Sequence, residues 1–194
     1  MSNLLIETNL FEANLSESNG KLLVSGVLQR AGSKNQNGRV YPRPILEREI
    51  ENYKQLIRER RALGELDHPD SSVVNLQNVS HNVVEIAWSG DDVVGKVEIL
   101  PTPSGNILKE LFRSNIRLGI SSRGMGSVKE GQYGLEVQED FNLIAFDFVS
   151  NPSTHGAFLS PISEGVNPQV CDVYCKTEDI IQKIIVELSN GYGV

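Results

Sequence analysis

Two short motifs carry the side chains best suited to nucleophilic chemistry. One is the run GELDHP at 64–69, which contains His68, and the other is the run SSRGMG, which begins with Ser121 and Ser122. A serine hydroxyl is a poor nucleophile until a base takes its proton, and a histidine can be that base. The motifs therefore favour a nucleophilic serine assisted by His68. The alternative interpretation is that His68 lies in a surface turn and that the serine run is a polar turn containing glycines.

A carboxylate in an apolar strand is the third candidate for catalysis. Asp147 lies in the run LIAFDFV, and strand alternation places it on the same face as Ala145 and Val149. Burial of a carboxylate is costly unless the group is paired. A histidine partner would satisfy the carboxylate, which would in turn orient the ring, as in a nucleophilic triad. An aspartate on an edge strand that faces water is the alternative.

The remaining histidine and cysteine positions do not favour metal chemistry. His81 follows His68 by thirteen residues, a spacing that matches no compact zinc motif such as HExxH. Cys171 and Cys175 have no histidine nearby in the sequence. The sequence also contains no phosphate-binding loop of the Walker or Rossmann type. We therefore expect neither a metal nor a cofactor.

Hydrophobic periodicity predicts the elements that must position these residues. Apolar residues from Ile45 to Ile57 recur at helical spacing, and a second helix is expected over 107–117, capped by Ser104 or Asn106. The other predicted elements are strands over 21–29, 64–69, 78–88, 92–100, 120–129, 133–137 and 141–149, of which the last is expected to be central, and a final helix over 177–188. Because strands and helices do not alternate regularly, the sequence favours an α+β fold, a mainly antiparallel β-sheet or barrel flanked by helices.

Composition and charge exclude several classes of protein. The 194 residues carry a formal charge of −7, and the isoelectric point near 5.0 argues against a dedicated nucleic-acid binder. No apolar run reaches the ~18 residues of a membrane helix, and no basic residue precedes Lys21, as a signal peptide would require. Residues 1–17 hold three glutamates, and their leucines allow a short helix or a pairing segment. The stretch 160–168 resembles a linker.

Four runs, taken in order, resemble the prohead core protein proteases of tailed bacteriophages, of the T-even type. These runs are AGSKNQNGRVYPRPIL at 31–46, GELDHP at 64–69, LGISSRGMGS at 118–127 and FDFVSNPS at 146–153. Because this family is related in fold to the herpesvirus assemblins, the resemblance implies a herpesvirus-protease-like fold and a serine endopeptidase made as a zymogen. It further implies action in the host cytoplasm, inside the assembling prohead, on scaffold or core and capsid proteins, with self-association as a dimer or ring. A non-enzymatic phage structural protein of the related tail-tube fold is the alternative.

The resemblance also assigns roles to individual residues. It implies that His68 is the base and that Ser122, the serine of the Ser-x-Gly pattern, is the nucleophile, with Ser121 as the fallback. Asp147 stands where the assemblins have a second histidine, and it is therefore the expected third member of a triad. Two other residues are alternatives for that third position: His155 and Glu65.

Substrate binding requires groups for the oxyanion and for the substrate side chain. We expect backbone amides near Arg123 and Gly124 to hold the oxyanion. Proteases of this family cut after glutamate, so a pocket for the glutamate should contain a cation, for which Arg39 and Arg123 are the candidates.

The family's cleavage pattern places an aliphatic residue two positions before the glutamate. Three bonds of this chain that fit it are Glu7–Thr8, Glu17–Ser18 and Glu164–Gly165. Because exposed, flexible segments are where cleavage is tolerated, self-cleavage is expected at the last two bonds.

These cuts divide the chain into three parts. They predict a removable segment at 1–17, a protease domain at 18–164, and a removable segment at 165–194 that contains the final helix and both cysteines.

Overall fold

The structure is a computed structural model that describes residues 3–10, 16–18, 21–67, 69, 71–114, 116 and 118–150. In 3–10 and 16–18 it describes the backbone and, of the side chains, that of Leu5. All these residues belong to the first of the two units into which the chain divides, Met1–Ser163. Several sequence predictions lie outside the described residues, namely those for His68, His155, the linker at 160–168, the bond Glu164–Gly165, both cysteines and the final helix.

Strands dominate the described part of the chain. In order, its elements are β1 (Asn3–Leu10), β2 (Ser16–Ser18), β3 (Lys21–Arg30), β4 (Arg39–Val40), α1 (Arg43–Arg58), β5 (Leu63–Glu65), β6 (Val79–Ser89), β7 (Asp92–Ile99), α2 (Pro103–Arg113), β8 (Gly119–Gly126), β9 (Val128–Gly131), β10 (Gly134–Val137) and β11 (Asn142–Val149). Among these elements, neither helix is long and apolar enough to cross a membrane.

The largest sheet has five strands in the order β2-β3-β7-β6-β5, and every neighbouring pair is antiparallel. Strands β6 and β7 lie where the sequence predicts strands, and they form a hairpin in which Ser89 pairs with Asp92 across the turn. Gly90 takes a φ of 60° in that turn, a conformation that costs glycine little because it has no Cβ. Strand β2 is the short edge strand of this sheet and pairs with the start of β3.

Two three-stranded sheets complete the fold. In the first, of order β1-β8-β11, β8 is the middle strand and both neighbours run antiparallel to it. The expectation that the strand at 141–149 is central is therefore corrected, because the central position belongs to β8. A parallel bridge between Leu66 and Phe148 joins the end of β5 to β11. The second sheet, of order β4-β10-β9, contains the parallel pair β4–β10.

Both helices bury one apolar face, as their periodicity predicts. Leu46, Ile50 and Tyr53 of α1 are at most 1% exposed, and the Tyr53 ring packs edge-on against Phe146 of β11. This contact holds α1 against β11, in the sheet that contains β8. An aromatic pair of this geometry stabilises the packing beyond the burial of the two rings.

Helix α2 lies about four residues earlier in the chain than the sequence predicted. It begins at Pro103 and ends at Arg113, and the Thr102 hydroxyl accepts the N–H of Gly105 at 3.0 Å. The expected caps, Ser104 and Asn106, are wrong because a threonine followed by a proline already supplies both an N-cap acceptor and a fixed φ at the first helical position.

Candidate active site

The two tandem serines lie on opposite faces of β8. Ser121 pairs with Asp147 and Ser122 pairs with Phe146 in the antiparallel ladder between β8 and β11. Residues that pair across such a ladder share a face, and successive residues alternate. Ser121 and Asp147 are therefore on one face, and Ser122 and Phe146 are on the other.

Ser122 faces the apolar core. Its hydroxyl accepts a hydrogen bond from the Gln29 side-chain amide at 2.9 Å, and both residues are at most 1% exposed. Its neighbours on that face, Ile120 and Phe146, are buried members of the core. The sequence prediction combines Ser122 with Asp147, whereas this register places the two side chains on opposite faces of the sheet. Gln29 was not among the sequence candidates, and no local pattern connects it to a serine 93 residues away.

Arg123 forms a two-point ion pair with Asp147 inside the protein. Its Nε lies 2.8 Å from Oδ2 and its Nη2 lies 3.2 Å from Oδ1, and both side chains are fully buried. Arg123 pairs with Ala145 in the ladder, so the guanidinium reaches diagonally along the strand past a small side chain. The planar fork of arginine matches a carboxylate in this geometry.

Glu65 completes the buried ion cluster. Its Oε1 accepts Arg123 Nη2 at 2.9 Å and the backbone N–H of Asn75 at 3.0 Å, while its own N–H donates to Asp147 Oδ1 at 3.0 Å. Arg123 Nη1 also donates to the Ser71 carbonyl at 2.7 Å. Glu65 Oε2 is buried with no hydrogen-bond partner. The cluster thus brings two carboxylates to one guanidinium beside Ser121.

Arg123 is one of the two candidate cations for a substrate glutamate, and in this structure all three of its guanidinium nitrogens donate to groups inside the protein. Arg39, the other candidate cation, lies in β4, which pairs with β10 in a different sheet from β8. Gly124 lies in β8 between Leu5 and Leu143 of the flanking strands.

The chain segment that leads to His68 runs beside Asp147. The N–H of Asp67 donates to the Phe148 carbonyl at 2.8 Å, and Leu66 bridges Phe148. Asp67 takes a φ of 68°, a left-handed conformation that turns the chain sharply at this point. The residue before His68 is therefore hydrogen bonded to the neighbour of Asp147.

His81 is a structural histidine. Its Nε2 lies 2.8 Å from the Phe146 carbonyl, its Nδ1 lies 2.8 Å from the Ser80 hydroxyl, and its ring packs edge-on against Phe148. Burial lowers its pKa from 6.5 to about 4, against the opposing effect of Asp147. A ring held neutral and bonded at both nitrogens contributes to packing. The described residues contain no group of three or more histidine, cysteine, aspartate or glutamate side chains that could hold a metal.

The fold resembles that of a known protease. The fold is similar to the solved structure of the bacteriophage T4 capsid assembly protease, gp21, with a TM-score of 0.69 and 28% identity over 78% of this chain and 99% of that one. The prohead core protein protease of Enterobacteria phage T4 is 32% identical over 147 residues, which are 72% of this chain and 68% of the relative.

Fold and sequence together define a protease of phage capsid assembly. More closely, the chain belongs to the family of prohead core protein serine proteases, which it matches over residues 3–167. The resemblance inferred from four short runs is thereby confirmed, and so is the expectation of an α+β fold built mainly on antiparallel sheet.

Proposed function

We propose that this chain is a serine endopeptidase of prohead maturation in which Ser121 is the nucleophile, His68 the general base and Asp147 the carboxylate that orients the base. The observation that carries this assignment is the direct pairing of Ser121 with Asp147 on one face of the sheet. One imidazole must reach both the nucleophile and the carboxylate, so the two must lie on the same side. Ser122 does not meet this condition.

The assignment of His68 rests on the family and on the path of the chain. His68 is the histidine of the motif GELDHP, and Asp67 just before it is hydrogen bonded to Phe148, the neighbour of Asp147. A general base must come within hydrogen-bond reach of the proton that it removes. The hydrogen bond between Asp67 and Phe148 supports the proposal that His68 acts on the face of Ser121 and Asp147.

The proposed reaction proceeds through an acyl-enzyme. His68 takes the proton of the Ser121 hydroxyl while Oγ attacks the carbonyl carbon of the scissile peptide bond. The protonated imidazole then gives its proton to the leaving amine, which departs with the C-terminal fragment. A water molecule, deprotonated by the same histidine, attacks the ester and releases the N-terminal fragment, so the enzyme returns to its starting state.

The buried cluster supplies the electrostatics of this reaction. Arg123 holds Asp147 by two parallel bonds, and Glu65 N–H adds a third, so the carboxylate is fixed in one orientation. The cluster brings one guanidinium to two carboxylates. A carboxylate fixed in this way can stabilise the imidazolium that forms when Ser121 loses its proton.

The substrate class follows from the family and from this chain's own sequence. We infer cleavage after glutamate in an (Ile/Leu)-x-Glu context, in scaffold or core and capsid proteins and in the chain itself at Glu17–Ser18 and Glu164–Gly165. Two T4 relatives are described as a prohead core protein protease and a capsid assembly protease, which supports substrates of this kind. The Glu17–Ser18 bond lies in β2, a three-residue strand at the edge of its sheet, where local opening costs little.

The full chain has the burial expected of an inactive precursor. Ser121 is 0% exposed, and a hydroxyl without access to solvent cannot meet a peptide substrate. The proposed enzyme must therefore rearrange before it cleaves other proteins, which agrees with a zymogen.

Intact-mass analysis of three purified proteins tests this proposal. Wild type, Ser121→Ala and Ser122→Ala are incubated separately, and their masses are followed over time. Wild type and Ser122→Ala are expected to lose the segments before Ser18 and after Glu164, whereas Ser121→Ala stays intact. Trimming of the Ser121→Ala protein with no other protease present would refute the proposed nucleophile.

A further inference from the structure

The chain on both sides of His68 is fixed to the strands that carry the proposed site. On the N-terminal side, the N–H of Asp67 donates to the Phe148 carbonyl of β11 at 2.8 Å. On the C-terminal side, the Ser71 carbonyl accepts Arg123 Nη1 of β8 at 2.7 Å. His68 lies between these two anchors in the sequence. The placement of the proposed base therefore depends on what holds the anchors.

Glu65 provides a second contact to the chain that follows His68. Its Oε1 accepts the backbone N–H of Asn75 at 3.0 Å and Arg123 Nη2 at 2.9 Å. The side chains of Glu65 and Arg123 are both fully buried, and hydrogen bonds are stronger in such surroundings than in water. The carboxylate and the guanidinium are thus bonded to each other, and each holds one backbone group of the chain after His68.

The segment 71–78 is held together by its own hydrogen bonds. Side-chain oxygens of Ser71 and Asn75 each accept the backbone N–H two residues further on, at 3.1 and 3.0 Å. The N–H of Asn78 donates to the Asn75 carbonyl at 2.9 Å, and the Asn78 carbonyl accepts the N–H of Leu66 at 3.1 Å. A contact made at Ser71 or Asn75 therefore constrains the rest of this loop, whose base is closed at Leu66.

We propose that Glu65 is a positioning residue that, together with Arg123, fixes the loop of the general base relative to Ser121. This inference rests on the proposed protease function. The guanidinium that holds the loop also holds Asp147 by two bonds, so one buried side chain places both the carboxylate and the chain that carries the base. Glu65 holds the second point of that chain. A displacement of a catalytic group by about 1 Å can lower the rate by about a hundredfold.

The contacts of Glu65 separate this role from that of a triad carboxylate. Both bonds that Glu65 accepts end on Oε1, whereas Oε2 has no hydrogen-bond partner among the described residues. A glutamine keeps the Oε1 acceptor and replaces only the unpartnered oxygen by an amide group. The Glu65→Gln protein should therefore keep the loop in place, whereas a residue needed for its negative charge would not tolerate the change.

Steady-state cleavage of a fluorogenic peptide with the sequence of residues 13–20 tests the proposal. Each untagged variant is first trimmed by tagged, self-processed wild type, which is then removed. Glu65→Ala is expected to lower kcat about 10- to 100-fold at a KM within about threefold of wild type, because a misplaced base slows the chemical step. Glu65→Gln should restore kcat to within about threefold of wild type.

Glu98→Ala is the matched control. Glu98 is a carboxylate of the five-stranded sheet that is only 7% exposed, and it pairs with Lys21 at 3.0 Å and with Arg60 at 2.8 Å. Its loss should lower stability, measured by urea unfolding, but leave kcat and KM unchanged. A kcat of Glu65→Ala equal to that of wild type, or a Glu65→Gln protein as slow as Glu65→Ala, would refute the inference.

Amide hydrogen exchange of an inert full chain tests the contact without catalysis. The parent is Ser121→Ala, to which Glu65→Ala or the control substitution is added. The N–H groups of Leu66 and Asn78 do not bond to the Glu65 side chain, so they report on the loop as a whole. They should exchange at least about tenfold faster in the Glu65 variant alone, because the loop opens locally. Faster exchange confined to Asn75, whose N–H loses its acceptor, would contradict the proposed role.

A variant on the loop side covers the case in which Glu65→Ala does not fold. Asn75→Pro removes the same N–H and leaves the buried ion pairs intact, so it should lower kcat in the same way. Unchanged kcat in a folded Asn75→Pro protein would overturn the inference. A wild type that cleaves no peptide would instead refute the proposed protease function, and the exchange measurement would still decide whether Glu65 holds the loop.

Discussion

Ser121 and Asp147 oppose each other across the ladder between β8 and β11, on the face that Ser122 does not share. This single relationship decides which of the two serines can belong to a triad with the carboxylate. It also places the Arg123 guanidinium and Glu65 near Ser121, the proposed nucleophile, since both form ion pairs in the buried cluster that contains Asp147. The site is thus built on two rigid strands, with one carboxylate held by an arginine fork.

Arg123→Ala should destabilise the protein strongly, because it leaves Asp147 and Glu65 buried without their cation. Removal of one partner from a buried ion pair costs about 3–5 kcal/mol of unfolding free energy. Arg123→Lys should recover part of the loss, since it keeps the charge but not the two-point geometry. Urea unfolding measures both.

Arg113→Ala is the matched control for that prediction. Arg113 pairs with Glu110 at 2.9 Å on an exposed helix surface, and such pairs contribute about 0–1 kcal/mol. If Arg123→Ala lowers the unfolding free energy as little as Arg113→Ala does, the buried cluster does not stabilise the site.

Ser122→Ala should reduce stability while it preserves catalysis. The substitution leaves the buried Gln29 amide without the acceptor that it has at 2.9 Å, at a cost of about 1–3 kcal/mol. Activity per folded molecule should stay near that of wild type, because the hydroxyl lies on the core face. Urea unfolding and a peptide-cleavage assay at 20 °C or below separate the two effects, with Ser25→Ala in β3, a residue that is not fully buried, as control. Loss of catalysis in a folded Ser122→Ala protein would contradict the separation of the two faces.

His81 should make stability fall in acid. Burial lowers its pKa from 6.5 to about 4, so the unfolded chain binds the proton more readily than the folded protein does. The contribution of neutral His81 to the unfolding free energy is fully present above pH 6.5. It is lost as the pH falls toward 4, and the total loss is about 3 kcal/mol.

Urea unfolding at pH 7, 5 and 4 checks this prediction against His81→Asn, which cannot titrate. The difference in unfolding free energy between wild type and variant should narrow as the pH falls. A difference that is constant across this range would show that His81 does not titrate with unfolding.

The elements with strong periodicity could be predicted from the sequence. The apolar face of α1 and the turn at Gly90 are local signals, and the structure contains both. The start of α2 was missed, because Thr102 and Pro103 were not recognised as its cap. The signal was present in the sequence, because a proline after a threonine is typical of a first helical position that follows an N-cap.

The arrangement of the site could be predicted only in part. The sequence singled out His68, the tandem serines and Asp147 as candidates, because these residue types stand out in apolar or glycine-rich runs. It favoured Ser122, with Ser121 as the fallback, and it could not show which face each serine occupies. The faces are set by the register of β8 on β11, with an irregularity between Leu143 and Ala145. A one-residue change of register would exchange the faces.

The ion pairs of Arg123 could not be predicted, for a related reason. A lone arginine among glycines and serines looks available to a substrate, and its two carboxylate partners lie 24 and 58 residues away in the sequence. Burial of Arg123 could be inferred only once β5, β8 and β11 were brought together.

Mapping of a fluorophosphonate label tests the central claim most directly. Such a reagent phosphonylates a serine that a base has activated, and it is applied to wild type while self-cleavage is under way. Peptide mass spectrometry then identifies the labelled residue. We predict a single label, on Ser121. The Ser121→Ala protein is the control, and it should remain unlabelled. A label on Ser122, or cleavage that continues without any labelled serine, would contradict the account.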